Sequence, residues 1–408
     1  MGSFDSLRYR NYRLMWTGAV LSNIGTWMQA IALSWFVFLL TRSAFWVSFV
    51  TFINFFPTVI SPLGGVYTDR LDRRRILVWT QSVMMVDAAV LAVLAWTGHA
   101  SLFAVMALTF GQGLAFAFNS PTWMAFVPSL VPPEALVNAI ALNSAQFSLA
   151  RVIGPAIAGV LIGVWTKGAA VVFAINALSF VAVLVALTKI RTAPVPRAPE
   201  RRVRDLLIGG ITYTWANRRI RSMIGAIAIT SFFAAPVTAL LPIYAARVFG
   251  RGAGAYGSLF AMMGLGSVIG ALAVGRVGNR LSPSIIAGAL VGVGVVLGLF
   301  ASIHSYVAGM VLMVLYGATY LFAVAATNSD IQIHVDEGMR GRVLSIYLLA
   351  FGAFFPLGSL VAGAVAQSVG VATTTAVGAV VCALWGLQLL VRFRGGIAGQ
   401  PALLEPGS

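Results

Sequence analysis

Gly65-Val-Tyr-Thr-Asp69-Arg70-Leu71 closes one long apolar stretch, and Gly275-Arg-Val-Gly-Asn279-Arg280-Leu281 closes another 210 residues later. The same turn, ending in an Arg-Leu pair, follows both stretches, so the two halves of the chain read as a duplication. A looser match pairs Asn119, the turn at Glu134 and Gly154-Pro155 with Asn328, the turn at Val335-Asp336-Glu337 and Pro356-Leu357-Gly358. Outward from the first turn, apolar runs recur with polar or Gly/Pro breaks between them. Those near 14–40, 44–67, 76–97, 101–128, 139–164 and 168–189 precede a long polar break, and those near 220–246, 253–275, 284–303, 306–331, 342–367 and 371–391 follow it. Each is close to the roughly 20 residues that a helix needs to cross a hydrocarbon core. The expectation is an all-α integral membrane protein, with twelve transmembrane helices in two related halves of six.

Composition excludes a water-soluble globule. Of 408 residues, 59% are apolar and only 9% charged, where soluble domains carry about 25% charged residues. The net charge of +16 would suit nucleic acid in a soluble protein, so the placement of the cations decides its meaning. With the N-terminus inside, 22 of the 27 Lys and Arg residues fall in cytoplasmic segments and 4 in outer loops, with Arg151 inside a span. That asymmetry puts both termini on the cytoplasmic side of a cell membrane, with anionic lipid rather than nucleic acid as the partner of the basic loops. The first apolar run is longer than a signal-peptide core and reads as a retained helix.

The long polar break divides the chain into an N-terminal bundle at 1–190, a cytoplasmic linker at 191–219, a C-terminal bundle at 220–394 and a cytoplasmic tail at 395–408. Within the linker, Arg201, Arg202, Arg204 and Asp205 alternate with Val203, Leu206, Leu207, Ile211 and Trp215. This pattern predicts an amphipathic helix on the inner leaflet.

The whole chain resembles the major facilitator superfamily. Gly65, Asp69, Arg70, Arg73 and Arg74 fit that family's loop motif after span two, with Asp72 in place of its second glycine. Gly154, Pro155 and Gly159 fit the span-five motif of its antiporters, with Ala158 replacing one glycine. Leu7 to Trp16 and Ala141-Leu-Asn143-Ser144 look like the branch of siderophore and macrolide exporters. The resemblance implies two pseudo-symmetric six-helix bundles around a central cavity, and a secondary transporter in which the two motifs act as gates. Physically, Gly65, Gly154 and Gly159 permit close helix approach, Pro155 removes a backbone donor, and Asp69 can pair with nearby arginines or a helix N-terminus.

Charges at membrane depth are costly and default to function. Asp87 lies near the middle of span three and Arg151 near the middle of span five, so they are candidates for proton coupling, either as a switchable pair or as a permanent structural one. Asp330, near the inner end of span ten, reads as loop-facing. The resembling family often has an arginine where Thr109 stands, three residues before Gln112-Gly113, and an acid in span one, where this chain has Asn23, Thr26 and Gln29. Its spans one, four, seven and ten line the cavity. The corresponding candidates for substrate contact are Asn23 and Trp27; Gln112, Phe116 and Asn119; Phe233; and Tyr316, Tyr320 and Asn328. Such faces suit a sizeable amphipathic molecule, while Asn and Gln equally serve to join helices.

Gly252-Ala-Gly254-Ala-Tyr-Gly257 fits a dinucleotide fingerprint but follows an apolar helix instead of a strand. Gly266 with Gly270, Gly288 with Gly292 and Gly294 with Gly298 read as close helix packing. His99, His304 and His334 lack metal-ligand spacing, Cys382 stands alone, and no catalytic triad or P-loop is present. No enzyme activity, cofactor or metal is expected. The expected function is export of an amphipathic small molecule, a drug or siderophore, by proton antiport and alternating access, from a monomer. Import or flipping of a lipid-like solute is the alternative transport mode. A non-transporting receptor or scaffold is the alternative of a different class.

Overall fold

The computed structural model describes residues 4–61, 72–190 and 203–394. Six helices precede the linker: α1 (Arg10–Thr41), α2 (Ala44–Phe55, extended by a 3-10 segment to Ile60), α3 (Arg73–Thr97), α4 (Leu102–Phe126), α5 (Leu136–Val164) and α6 (Gly168–Lys189). The linker contributes α7 (Val203–Ala216). Beyond it come α8 (Arg218–Ile229), α9 (Val237–Ile243), α10 (Ala253–Val277), α11 (Pro283–Ser302), α12 (Tyr306–His334), α13 (Arg340–Val369) and α14 (Val371–Arg394). Serine or a short polar side chain starts many of them: Ser43, Asp72, Ser101, Asn217, Ser282 and Ser305 each accept a backbone N–H of the first turn. These caps satisfy donors that lipid cannot.

Among the described residues, eleven helical segments are long and apolar enough to cross a membrane, and the apolar helix Ala44–Ile60 is shorter. The second run, expected over 44–67, continues into residues outside the described set, and so do Gly65, Asp69 and Arg70. On the outside of α3, Val86, Val90, Val93 and Trp96 all remain exposed. Such a face is unfavourable in water and costs nothing against acyl chains.

α8 and α9 form one rod, Arg218–Val248, interrupted by two π-helical turns at Thr230–Ala234 and Tyr244–Val248. Pro236 and Pro242 lack the N–H that an α-helical ladder needs, and wider bonds replace it, Ala235 N–H to Thr230 O at 3.0 Å and Phe249 N–H to Tyr244 O at 2.9 Å.

Helices before the linker pack chiefly on one another, α1 on α5 and α6, and α3 on α4 and α6; those after it do likewise, α10 on α12, and α11 on α12 and α14. The two sets meet along two seams, α5 against α10 and α2 against α13. Glycine sets the closeness. A Cβ at Gly257 would fall 2.5 Å from the Pro155 carbonyl, and one at Gly154 2.8 Å from that of Ile24. Within the second set, Gly266 and Gly270 sit on backbone carbonyls of α12, and Gly294 on that of Ala379, as GxxxG packing requires. Gly288 differs. Open space surrounds it, so that pair does not pack as expected.

α7 lies on the start of α13. Gly210 abuts the Arg342 backbone, and the Tyr213 hydroxyl accepts the Asp336 N–H at 3.2 Å. Trp215 and Ile211 remain exposed.

Candidate functional site

The seam between α5 and α10 gathers aromatic side chains around one guanidinium. On α5, Phe147 and Arg151 are four residues apart and share a face; Tyr256 and Phe260 on α10, and Tyr316 and Tyr320 on α12, repeat that spacing. Gly154 lets α5 approach α1, which brings Trp27 over this face, and Gly264 lets α10 approach the Arg151 backbone. Trp27 meets Phe147 edge-on at 5.8 Å and Phe260 at 5.9 Å between ring centroids. The Arg151 Cζ stands 5.6 Å from the Trp27 ring centroid. Tyr316 and Tyr320 stack obliquely at 5.5 Å, and both lie within electrostatic range of Arg151. The Tyr316 hydroxyl is committed, donating to the Ala234 carbonyl at the end of the first π turn at 3.0 Å.

Among the described residues the guanidinium has no counter-ion. Its Nε is sealed from solvent without a hydrogen-bond partner, and among the described residues no carboxylate pairs with it. A cation over an indole gains about 0.5–2 kcal/mol, whereas the penalty for a charge in a low-dielectric interior is several kcal/mol. The ring contact offsets part of that penalty; the side chain stays partly exposed, and its Nε is left without an acceptor.

Asp87 and Arg151 are not brought together. α3 packs on α4 and α6, while α5 packs on α1 and α10, so the two charges occupy different seams. The Asp87 carboxylate faces Gly111 of α4, with Oδ2 sealed and unpartnered. Of the substrate-contact candidates, Trp27, Tyr316 and Tyr320 converge on Arg151. Asn23, one turn before Trp27, is half-buried and makes no hydrogen bond among the described residues. Gln112 is used internally: it accepts Gln29 Nε2 at 2.9 Å, Gln29 accepts Asn176 Nδ2 at 2.7 Å, and Asn176 accepts the Ser179 hydroxyl at 3.1 Å. This amide chain joins α1, α4 and α6. Asn119 likewise accepts Thr80 Oγ1 and Gln81 Nε2, each at 3.1 Å, joining α4 to α3. Phe116 packs in a small core with Met84 and Phe180. Phe233 meets Phe232 edge-on at 4.8 Å, packed against the main core. Asn328 accepts Gln332 Nε2 within α12.

The described motif arginines hold helix ends. Arg73 donates to the Ala125 carbonyl at 2.9 Å and Arg74 to that of Thr188 at 3.1 Å, which places cations at the C-termini of α4 and α6. Asp72, the departure from the family's glycine, caps α3 by accepting Arg74 N–H at 2.9 Å. The opening stretch has a matching role: Tyr12 and Trp16 donate to the carbonyls of Ala139 and Leu142 at the start of α5.

Asp330 corrects the expectation of a loop-facing acid. It is fully buried and takes both Nε and Nη2 of Arg219, at 3.0 and 2.5 Å, with His334 Nδ1 at 3.5 Å. The start of α8 crosses the end of α12 there, so a guanidinium fork replaces water around the carboxylate.

Three hydrogen bonds cross between the two sets of helices at one end. Gln367 Oε1 accepts both Ser43 Oγ and Ala44 N–H at 3.0 Å, and Arg247 donates to the Arg42 carbonyl. Arg42 itself has φ of 50°, a conformation that no other non-glycine among the described residues adopts. Trp35 stacks on Tyr256 at 6.4 Å on the way from this end to the Arg151 cluster.

Residues 1–396 match the model of a family described as transmembrane secretion effector, of the major facilitator type. Relatives over most of the length include macrolide efflux protein A of Streptococcus pyogenes, 23% identical over 89% of this chain and 92% of that protein. The staphyloferrin A transporter of Staphylococcus aureus is 27% identical over 89% and 91%, and the enterobactin exporter of Salmonella typhi is 27% identical over 81% and 80%. Among solved structures, a bacterial homologue of the human lysosomal transporter Spinster, inward-facing and unoccupied, superposes with a TM-score of 0.75 at 13% identity, covering 96% of this chain and 99% of that one. A nucleoside transporter gives 0.69 at 12% identity, over 96% and 100%. At these identities the likeness is one of fold.

Proposed function

We propose, from the premise that this chain belongs to the transmembrane secretion effector family of the major facilitator superfamily and is a membrane transporter, that it exports an amphipathic small molecule by alternating access. The observation that carries the reading is the Arg151 cluster, built from helices of both sets at the seam where they meet. A site shared between two bodies is the one place that both can expose in turn. The drug-like and siderophore-like cargos of the relatives match an aromatic site with few polar groups. In this reading the chain has twelve spans, the second completed beyond Ile60, arranged as six-helix bundles at 1–190 and 220–394. Residues 191–219 link them and 395–408 form a tail.

The excess of Lys and Arg in alternate loops supports cytoplasmic termini. The end joined by Ser43, Gln367 and Arg247 is then external, and the conformation is closed to the outside. Proton antiport supplies the driving force, with Asp87, an acid at membrane depth whose Oδ2 has no partner, as the proton carrier. The test is cargo flux in vesicles holding the purified chain under an imposed pH gradient. Export that rises with the gradient supports the reading, and flux indifferent to it rejects antiport.

A further inference from the structure

The Arg151 cluster carries a positive charge that its surroundings do not neutralise. Trp27, Phe147 and Phe260 present ring faces or edges, and Tyr316 and Tyr320 present neutral hydroxyls, one already bonded to the Ala234 carbonyl. The acids at depth offer no counter-ion. Asp87 lies in another seam, and Asp330 is occupied by Arg219. A cationic cargo would meet repulsion here, with no carboxylate among the described residues to offset it. A neutral cargo would leave the guanidinium, whose Nε is sealed without a partner, with no acceptor for its charge.

We infer that the cargo is an aromatic anion, its carboxylate or equivalent acidic group held by the Arg151 guanidinium and its ring seated among Trp27, Phe147 and Phe260. A guanidinium presents parallel donors that match a carboxylate, and the Trp27 ring, 5.6 Å from that fork and itself in contact with Phe147 and Phe260, supplies a stacking surface beside it. The relatives' cargos differ in chemistry, and the local charge selects between such classes. The assignment rests on the reading that this cluster faces the cargo.

The test is isothermal titration of the purified full-length chain in neutral detergent with three probes of one ring system: 2-naphthoate, 2-naphthamide and 2-naphthylmethylamine. The expected result is naphthoate binding about tenfold tighter than the amide, the effect of one charge-assisted contact, and no measurable binding of the amine. Arg151→Gln should erase the acid-over-amide preference, and Arg151→Lys should keep it at reduced size. Equal affinity for acid and amide, tighter binding of the amine, or a preference that survives Arg151→Gln overturns the assignment. The wild-type comparison decides the matter even where a variant does not fold. Decanoate binding as tightly as naphthoate overturns the aromatic part and points to acyl chains. Because titration requires no transport, a chain that selects naphthoate but moves nothing in vesicles rejects the export reading alone. A chain that pumps cargo yet shows no acid preference rejects only the anion assignment.

Discussion

Replacing Arg219 by Ala strands the Asp330 carboxylate, which is fully buried and takes both arms of that guanidinium. Leaving one member of a buried pair alone costs about 3–5 kcal/mol, so Arg219→Ala should lower the melting temperature markedly. The double variant Arg219→Met, Asp330→Leu should recover much of the loss; a melt as low as that of the single variant would refute a desolvation origin. Asp87→Asn is nearly isosteric and removes the exchangeable proton. It should leave the melting temperature within a degree or two and abolish the response of cargo flux to a pH gradient. Retained coupling would remove Asp87 from the mechanism. At this scale the sequence was partly readable. Helical depth marks Arg151, but the sequence pointed to Asp87 as its partner and not to Trp27, Tyr316 and Tyr320, which come from other helices. Gln112 and Asn119 read the same whether an amide meets cargo or a neighbouring helix, and here they meet helices. Phe147 and Phe260 carried no signal beyond their four-residue spacing to Arg151 and Tyr256. Asp330 was misread because its partner is 111 positions away in the chain.

Among the helices, glycine decides how near two rods come. A methyl group added at Gly317 would land on the Met263 carbonyl of α10, backbone that cannot move aside without shifting the helix. Gly317→Ala should cost about 1–3 kcal/mol. Gly288 faces open space, and Gly288→Ala should be neutral or stabilising by up to about 1 kcal/mol through helix propensity. Thermal melts of the two variants side by side test the packing. Equal behaviour would mean that the α10–α12 contact is looser than described. The spans themselves were plain in the apolar runs, since lipid leaves helices little alternative. The π turns at Thr230–Ala234 and Tyr244–Val248 were not, because the prolines announce a break in the ladder without saying how the chain repairs it.

For the molecule as a whole, the bonds from Gln367 and Arg247 hold the two sets together at one end. Ser48 lies buried just inside them, against Gly363. In a Cys382→Ala background, Ser48→Cys should react slowly with a membrane-impermeant maleimide applied to intact cells. Adding Gln367→Ala should accelerate labelling several-fold, and an unchanged rate would show that these bonds do not hold the closure. The sequence does not announce these bonds, because Gln367 stands 324 and 323 positions from its partners Ser43 and Ala44.

The amide chain from Gln29 through Gln112 and Asn176 has a mechanical corollary. It rivets three rods in the first set with buried polar links that oil cannot replace. Any tilt of α1 therefore drags α4 and α6 along, and spin labels on those three helices should report one synchronous swing.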